Sequence, residues 1–219
     1  SSISIAAYQK DPNNQWFARG PRFRLSAEQI RDQALASSGL LSTKMYGKPV
    51  MPTQPEGIWQ TVYNGESWKE SEGADKYRRS VYTFLKRTSP YPSFISFDAG
   101  SREVCISKRL VTNTPLQALV TLNDPVYLDA AKALSQKVWE NSGKNPVAAI
   151  QEIYKQLLLI PISEVKKKSM MQLFATAKTG FDRDPKARAE FFPGADASLA
   201  ALAVTANAMM NLDEYLTKP

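Results

Sequence analysis

Four times in the second half of the chain a short polar residue stands directly before a proline: Thr114-Pro115, Asp124-Pro125, Asn145-Pro146 and Asp184-Pro185. Proline lacks an amide hydrogen and has a fixed φ, so it fits the first position of a helix. The polar residue before it can offer an oxygen to the free amides of the first turn. Each pair therefore reads as a helix start. Thr114-Pro115-Leu116-Gln117 adds a glutamine three residues after the cap and predicts a short helix carrying Leu116, Leu119 and Val120. After Asp124-Pro125, Val126, Ala130, Leu134 and Val138 recur every four residues, a core-facing stripe from about 125 to 140. Asn145-Pro146 predicts a helix with Val147, Ile150, Ile153 or Tyr154, and Leu157 inward, and Asp184-Pro185 opens a short basic segment. Asn113 is left for a turn hydrogen bond or, alternatively, a ligand contact.

Three further helices carry signals of their own. Ser26 and Gln29 can satisfy each other's free amides and Gly39 can take the left-handed stop conformation, which predicts a helix over about 27 to 38. Arg22, Arg24, Glu28, Arg31 and Asp32 crowd its start. The acids suit that end of the dipole and the arginines do not, so these are either solvated or ion-paired arginines or an anion site. Ser163 can cap a helix through Met170, Leu173, Phe174 and Ala177 to Gly180, with Lys166 to Lys168 on a solvated face or, alternatively, contacting an anion. The last helix buries Leu199, Leu202, Ala206, Met209 and Leu212, and its alanines permit close packing.

Between the first helix and the later ones the periodicity fades. Residues 40–76, with Pro49, Pro52 and Pro55 and with Trp59, Tyr63 and Trp68, read as a long ordered loop pinned by its aromatics, or as a ligand-binding loop able to stack on sugar rings. Tyr77–Thr88 and Arg102–Leu110 are rich in β-branched and aromatic or alternating residues and predict two short paired strands. Tyr91, Phe94 and Phe97 would pack down the connection between them.

Composition narrows the chemistry. The chain has no histidine, which removes Ser-His-Asp and Cys-His nucleophile systems and His-ligated zinc or haem from its own residues. A single cysteine, Cys105, excludes an intrachain disulfide and a haem c attachment pair. No metal or cofactor site is expected here. Its thiol is expected to be buried and inert under the aromatic loop. The charge of +7, from 28 Lys and Arg against 21 Asp and Glu, favours polyanions. The basic residues come in short clusters without interleaved aromatics, which argues against nucleic acid. No apolar run reaches membrane-spanning length, and the opening "SSISIAAYQK" reads as a cut from a longer protein.

Charged groups gather where the aromatic loop rejoins the second expected strand. Asp98 and Glu103 are the candidate carboxylates there, and Arg78, Arg79, Arg102 and Asn113 are the candidate ligand-binding residues. Mutual pairing of these charges is the simpler alternative.

The stretches "GPRFRLSAEQIRDQALASSGLL", "YRRSVYTFLKRT", "FDAGSREVCISKRLVTNTPLQALVTLNDP" and "NLDEYL" carry a resemblance. Together the chain is similar to the planctomycete-type domain of unknown function that forms the C-terminal part of large secreted proteins, where it follows a haem c-binding segment. The resemblance implies a bacterial extracytoplasmic setting, haem c in another domain of the parent protein, the parent's other domains as partners, and a link to breakdown of complex, often sulfated, polysaccharides. It supplies no catalytic residues. The expected fold is mainly α (α+β): a helical bundle-like core with a small antiparallel two-stranded element and long irregular loops. The expected organisation is one domain over residues 1–219, the C-terminal part of a larger protein, with room for an internal subdivision near 141–146. Three functions fit: a non-haem structural or substrate- or partner-binding module, a carboxylate enzyme on acidic or sulfated glycans with Asp98 and Glu103 as acid and base and the arginines gripping anions, and a simple anion-binding module.

Overall fold

Pro115, Pro125, Pro146 and Pro185 each lie in the first turn of a helix, as their pairing with a polar residue predicts. The structure is a computed structural model and describes residues 5–18, 20, 23–55, 57, 67–100, 102 and 104–218. Among these, the elements in chain order are α1 (Ile5–Lys10), β1 (Phe23–Arg24), α2 (Ala27–Ser38), α3 (Pro92–Ser96), α4 (Pro115–Asn123), α5 (Pro125–Asn141), α6 (Pro146–Leu158), α7 (Glu164–Arg183), α8 (Pro185–Phe191), α9 (Ala197–Met210), α10 (Asp213–Leu216) and β2 (Thr217–Lys218). The fold is mainly α with one small antiparallel sheet among the described residues, β1 on β2, in the register Phe23 to Lys218 and Arg24 to Thr217.

Caps do most of what the sequence implies. Asp124 accepts from the Val126 amide, Asn145 from Val147 and Ala148, and Asp184 from Lys186 and Ala187. Ser26 and Gln29 form the reciprocal box at α2, and Gly39 ends that helix at φ 81°. Thr114 departs from the pattern. It makes no side-chain cap, and the Gln117 side chain, which would supply the other half of a capping box, turns into the protein toward Thr112, Asp98 and Arg24. Consequently α4 buries Gln117 and Thr121 while Leu116 and Leu119 face solvent. Helix α7 runs through Gly180 to Arg183.

Helix α9 is the centre of the packing. Ala200, Ala201, Leu202, Ala203 and Ala206 have no exposed surface, so the helix is apolar on nearly every side and is surrounded by α4, α5, α6 and α7. Alanine on several faces lets those neighbours approach closely. Helix α2 packs on the far side of α5 through Ile30 and Ala34.

The two strands expected at 77–88 and 102–110 do not form. The first segment follows one short 3-10 turn, Gly73–Tyr77, holds another, Ser80–Tyr82, and makes only single bridges from Arg78 to Ser42 and from Thr83 to Val50. The second, in its described residues, is irregular with Val104 and Ile106 exposed. Alternating polar and apolar residues define a strand only when a sheet covers one face, and no ladder reaches this segment. Asp98 (φ 59°) and Arg102 (φ 65°) also turn the chain out of an extended path. The aromatic connection does pack down: Tyr91, Phe94 and Phe97 are buried, and Pro92–Ser96 winds into α3. Trp68 stacks on Tyr91 and donates to the Pro52 carbonyl at 2.8 Å, pinning the long loop. Trp59 and Tyr63 lie outside the described residues.

The arginines at the start of α2 are not all surface groups. Arg31 is fully buried and donates to the carbonyls of Lys76 and Arg78 and to the Ser80 hydroxyl. The charge of Arg31 acts on Asp124, the cap of α5, which is itself buried. Burial raises the Asp124 carboxyl to about 6, with the Val126 amide and Arg31 only partly offsetting it.

A pH dependence follows with a definite sign. Between the ordinary value of 3.8 and about 6, folded Asp124 holds a proton that the unfolded chain releases, so its contribution to stability falls as pH rises through that window, by at most about 3 kcal/mol. Asp124→Asn keeps a capping oxygen without the charge. Urea unfolding at pH 4, 5, 6 and 7 should show the variant gaining on wild type as pH rises; a difference independent of pH would refute it.

Candidate functional site

The segment that was expected to be a strand is a loop held at two places. At its neck, the Asp98 carboxylate accepts from the Thr112 amide at 2.8 Å and from the Thr112 hydroxyl at 2.8 and 3.0 Å. The Gln117 side-chain amide donates to the same carboxylate at 3.4 Å, and its oxygen accepts from Arg24 at 2.8 Å. Near its end, Arg109 makes a two-pronged pair with Glu28 of α2, at 2.7 and 2.9 Å. Burial alone would raise the Glu28 carboxyl; its hydrogen bond with Arg109, its own backbone amide, the Arg109 charge and Ser26 outweigh burial and hold it below the usual range. Arg109 is raised in turn, first by its hydrogen bond to Glu28.

Among the described residues three adjoining depressions open around this loop, and Arg109 lines each of these three. The largest, about 700 Å³, is bordered by Arg87, Arg102, Cys105, Lys108 and Arg109. The second, about 520 Å³, shares Gly100 and Arg102 with the first and adds Glu28, Val81 and Leu85. The third is a recess of about 150 Å³ beside Arg24, Asp98 and Leu110. Arg87, Arg102 and Lys108 have no carboxylate partner among the described residues. By contrast Lys166 pairs with Glu214, and Lys167 with Glu164. Arginine and lysine side chains around a concave surface, with their charge unspent, suit an anion that can accept two parallel N–H bonds.

The residues singled out in the sequence separate here. Arg78 is buried, donates to the carbonyls of Lys44, Tyr46 and Lys48, and stacks 3.9 Å from the Tyr82 ring centroid. Three of its five N–H donors organise the 44–48 loop, and it lines none of the three depressions. Arg79 is exposed, 3.5 Å from the Asp32 carboxylate, whose other oxygen accepts from the Ser80 amide. Arg102 lies in the cleft. Asn113 is exposed and lines none of the three depressions. Glu103 lies outside the described residues, so the geometry of an Asp98 and Glu103 pair is not defined. Asp98 is occupied in closing the loop.

Cys105 is exposed in the largest depression rather than buried, because the aromatic loop turns into the core at Tyr91, Phe94 and Phe97 and leaves residues 104–108 uncovered. Sequence reasoning missed Arg87, Lys108 and Arg109 as members of one cleft, and Glu28 as their neighbour. The Lys108-Arg109 and Lys86-Arg87 doublets were visible, but nothing local says that two segments about twenty residues apart meet.

Among the described residues, no helix is long and apolar enough to cross a membrane, and no group of three or more Cys, Asp or Glu residues is placed to hold a metal ion. The family model PSD1, a protein of unknown function (DUF1553), matches residues 1–174. No curated protein and no solved structure matches the chain.

Two measurements probe this geometry. Asp98→Ala removes the acceptor that closes the neck and should speed tryptic cleavage after Lys108 and Arg109 while costing about 1–3 kcal/mol of stability; unchanged cleavage would show that the neck closes without it. Maleimide should label Cys105 in the native protein at a rate comparable with the urea-unfolded chain, and strong native protection would contradict its exposure.

Proposed function

This chain belongs to the PSD1 family of proteins of unknown function, and on that footing we propose that it is a non-haem, ligand-holding module of a larger bacterial extracytoplasmic protein. In this reading haem c sits in another domain of the parent, and this module contributes binding rather than bond-making. Its ligand is an acidic polysaccharide bearing sulfate or carboxylate groups, and its other partners are the parent's remaining domains.

The observation that carries the proposal is the convergence of Arg87, Arg102 and Lys108 on one open depression with no carboxylate partner among the described residues. Assembling unpaired cations on a concave surface costs self-repulsion, a cost that a polyanion relieves on binding. Asp98 gives less support to a carboxylate mechanism, since hydrogen bonds from Thr112 and Gln117 occupy it as a loop clasp. The exposed apolar residues in and beside the cleft, Val81, Val104 and Ile106, give a sugar backbone a non-polar surface to lie against.

Immobilised dextran sulfate should retain the protein into several hundred millimolar salt. Replacing Arg87, Arg102 and Lys108 together by glutamine should bring elution down to low salt, while the same change at Lys166, Lys167 and Lys168 should leave retention largely intact. Equal losses from the two triple variants would reduce the interaction to net charge and overturn the proposal. A Soret band in the purified chain would overturn the non-haem assignment.

A further inference from the structure

We propose that Glu28 is a built-in competitor for the anionic ligand: it occupies Arg109 in the empty cleft and is displaced when a carboxylate or sulfate ester of the ligand takes its place. This deepens the polyanion-binding reading above and rests on it.

The geometry sets up the exchange. Arg102 and Gly100 border both larger depressions, so a ligand held by Arg87, Arg102 and Lys108 continues directly into the depression that contains Glu28 and Arg109. Arg109 is the cation common to all three depressions and presents its fork to Glu28 through two parallel bonds of 2.7 and 2.9 Å. That is the arrangement a ligand carboxylate or two sulfate oxygens would make with the same guanidinium. The pair is accessible, with side-chain exposures of 36% for Arg109 and 28% for Glu28, so a ligand oxyanion can approach without unfolding anything. Of the two carboxylates lining the depressions among the described residues, Asp98 is committed to Thr112 and Gln117. Glu28 is the one whose single cationic partner is also a cleft wall. Once displaced it retains its position in the first turn of α2, where a negative charge is favoured.

The test compares wild type, Glu28→Gln, Arg109→Gln and the double variant for binding dextran sulfate, which carries only sulfate esters, and polygalacturonate, which carries only carboxylates. Removing the competitor should tighten binding about two- to fivefold, the equivalent of an exposed ion pair. Arg109→Gln should weaken binding, and the double variant should match it, since without Arg109 there is nothing to compete for. The polymer that shows the gain identifies the anion source. A second measurement uses wild type alone: sulfate-polymer binding near pH 4.5, measured calorimetrically in two buffers, should take up protons as Glu28 loses Arg109, and Glu28→Gln should abolish part of that uptake. Wild-type binding with no gain in Glu28→Gln and no Glu28-linked uptake overturns the competitor while leaving the polyanion reading intact. Failure of wild type to bind either polymer overturns both.

Discussion

The structure depends on a guanidinium taken out of water. Arg31 is wholly buried on α2, where its donors reach the carbonyls of Lys76 and Arg78 and the Ser80 hydroxyl, and its charge acts on the buried cap Asp124. Its two terminal nitrogens are bonded while Nε is left without a partner among the described residues, and through those bonds and the nearby Asp124 charge this one group ties together α2, the 3-10 turns and the start of α5. Tyr91 and Tyr127 are buried, and that burial, with the Asp124 charge, raises both hydroxyls. Helix α2 is thereby fixed as a platform, and its first turn presents Glu28 to the cleft.

The loop on that platform is ordered by polar contacts and not by a hydrophobic core. Its aliphatic residues from Val104 to Val111 face outward, and its closure relies on Asp98 with Thr112 at one end and Arg109 with Glu28 at the other. The described residues between the two contacts are mostly exposed. The inverted helix α4 belongs to the same arrangement. Gln117 and Thr121 face inward because Gln117 serves the neck of the loop and Thr121 bonds to Asn211 at 2.8 Å, so the leucines are turned to solvent.

Most helix boundaries were legible because they are set by chemistry within four residues. Ser26, Asp124, Asn145, Ser163 and Asp184 all cap as their neighbours imply. At Thr114 the box is missing, and its Gln117 half was decided outside that range, by partners at Asp98 and Arg24. The expected strands failed in the same way: β-branched residues at Val81, Val104 and Ile106 favour extension, but a strand needs a neighbour, and the neighbouring backbone went to 3-10 turns and to solvent. The small antiparallel pair arose instead between residues nearly two hundred positions apart, Phe23–Arg24 and Thr217–Lys218.

By itself, then, the sequence settled where rods begin, which stripes are apolar, and which catalytic systems a chain without histidine cannot build. It could not apportion the arginines. Arg31, Arg78, Arg79, Arg102 and Arg109 carry the same group, and chain folding sends two into the interior, two against carboxylates, and one to an open cleft. Capping depends on atoms a few bonds apart, whereas the fate of a charge depends on every oxygen that the rest of the fold brings within reach.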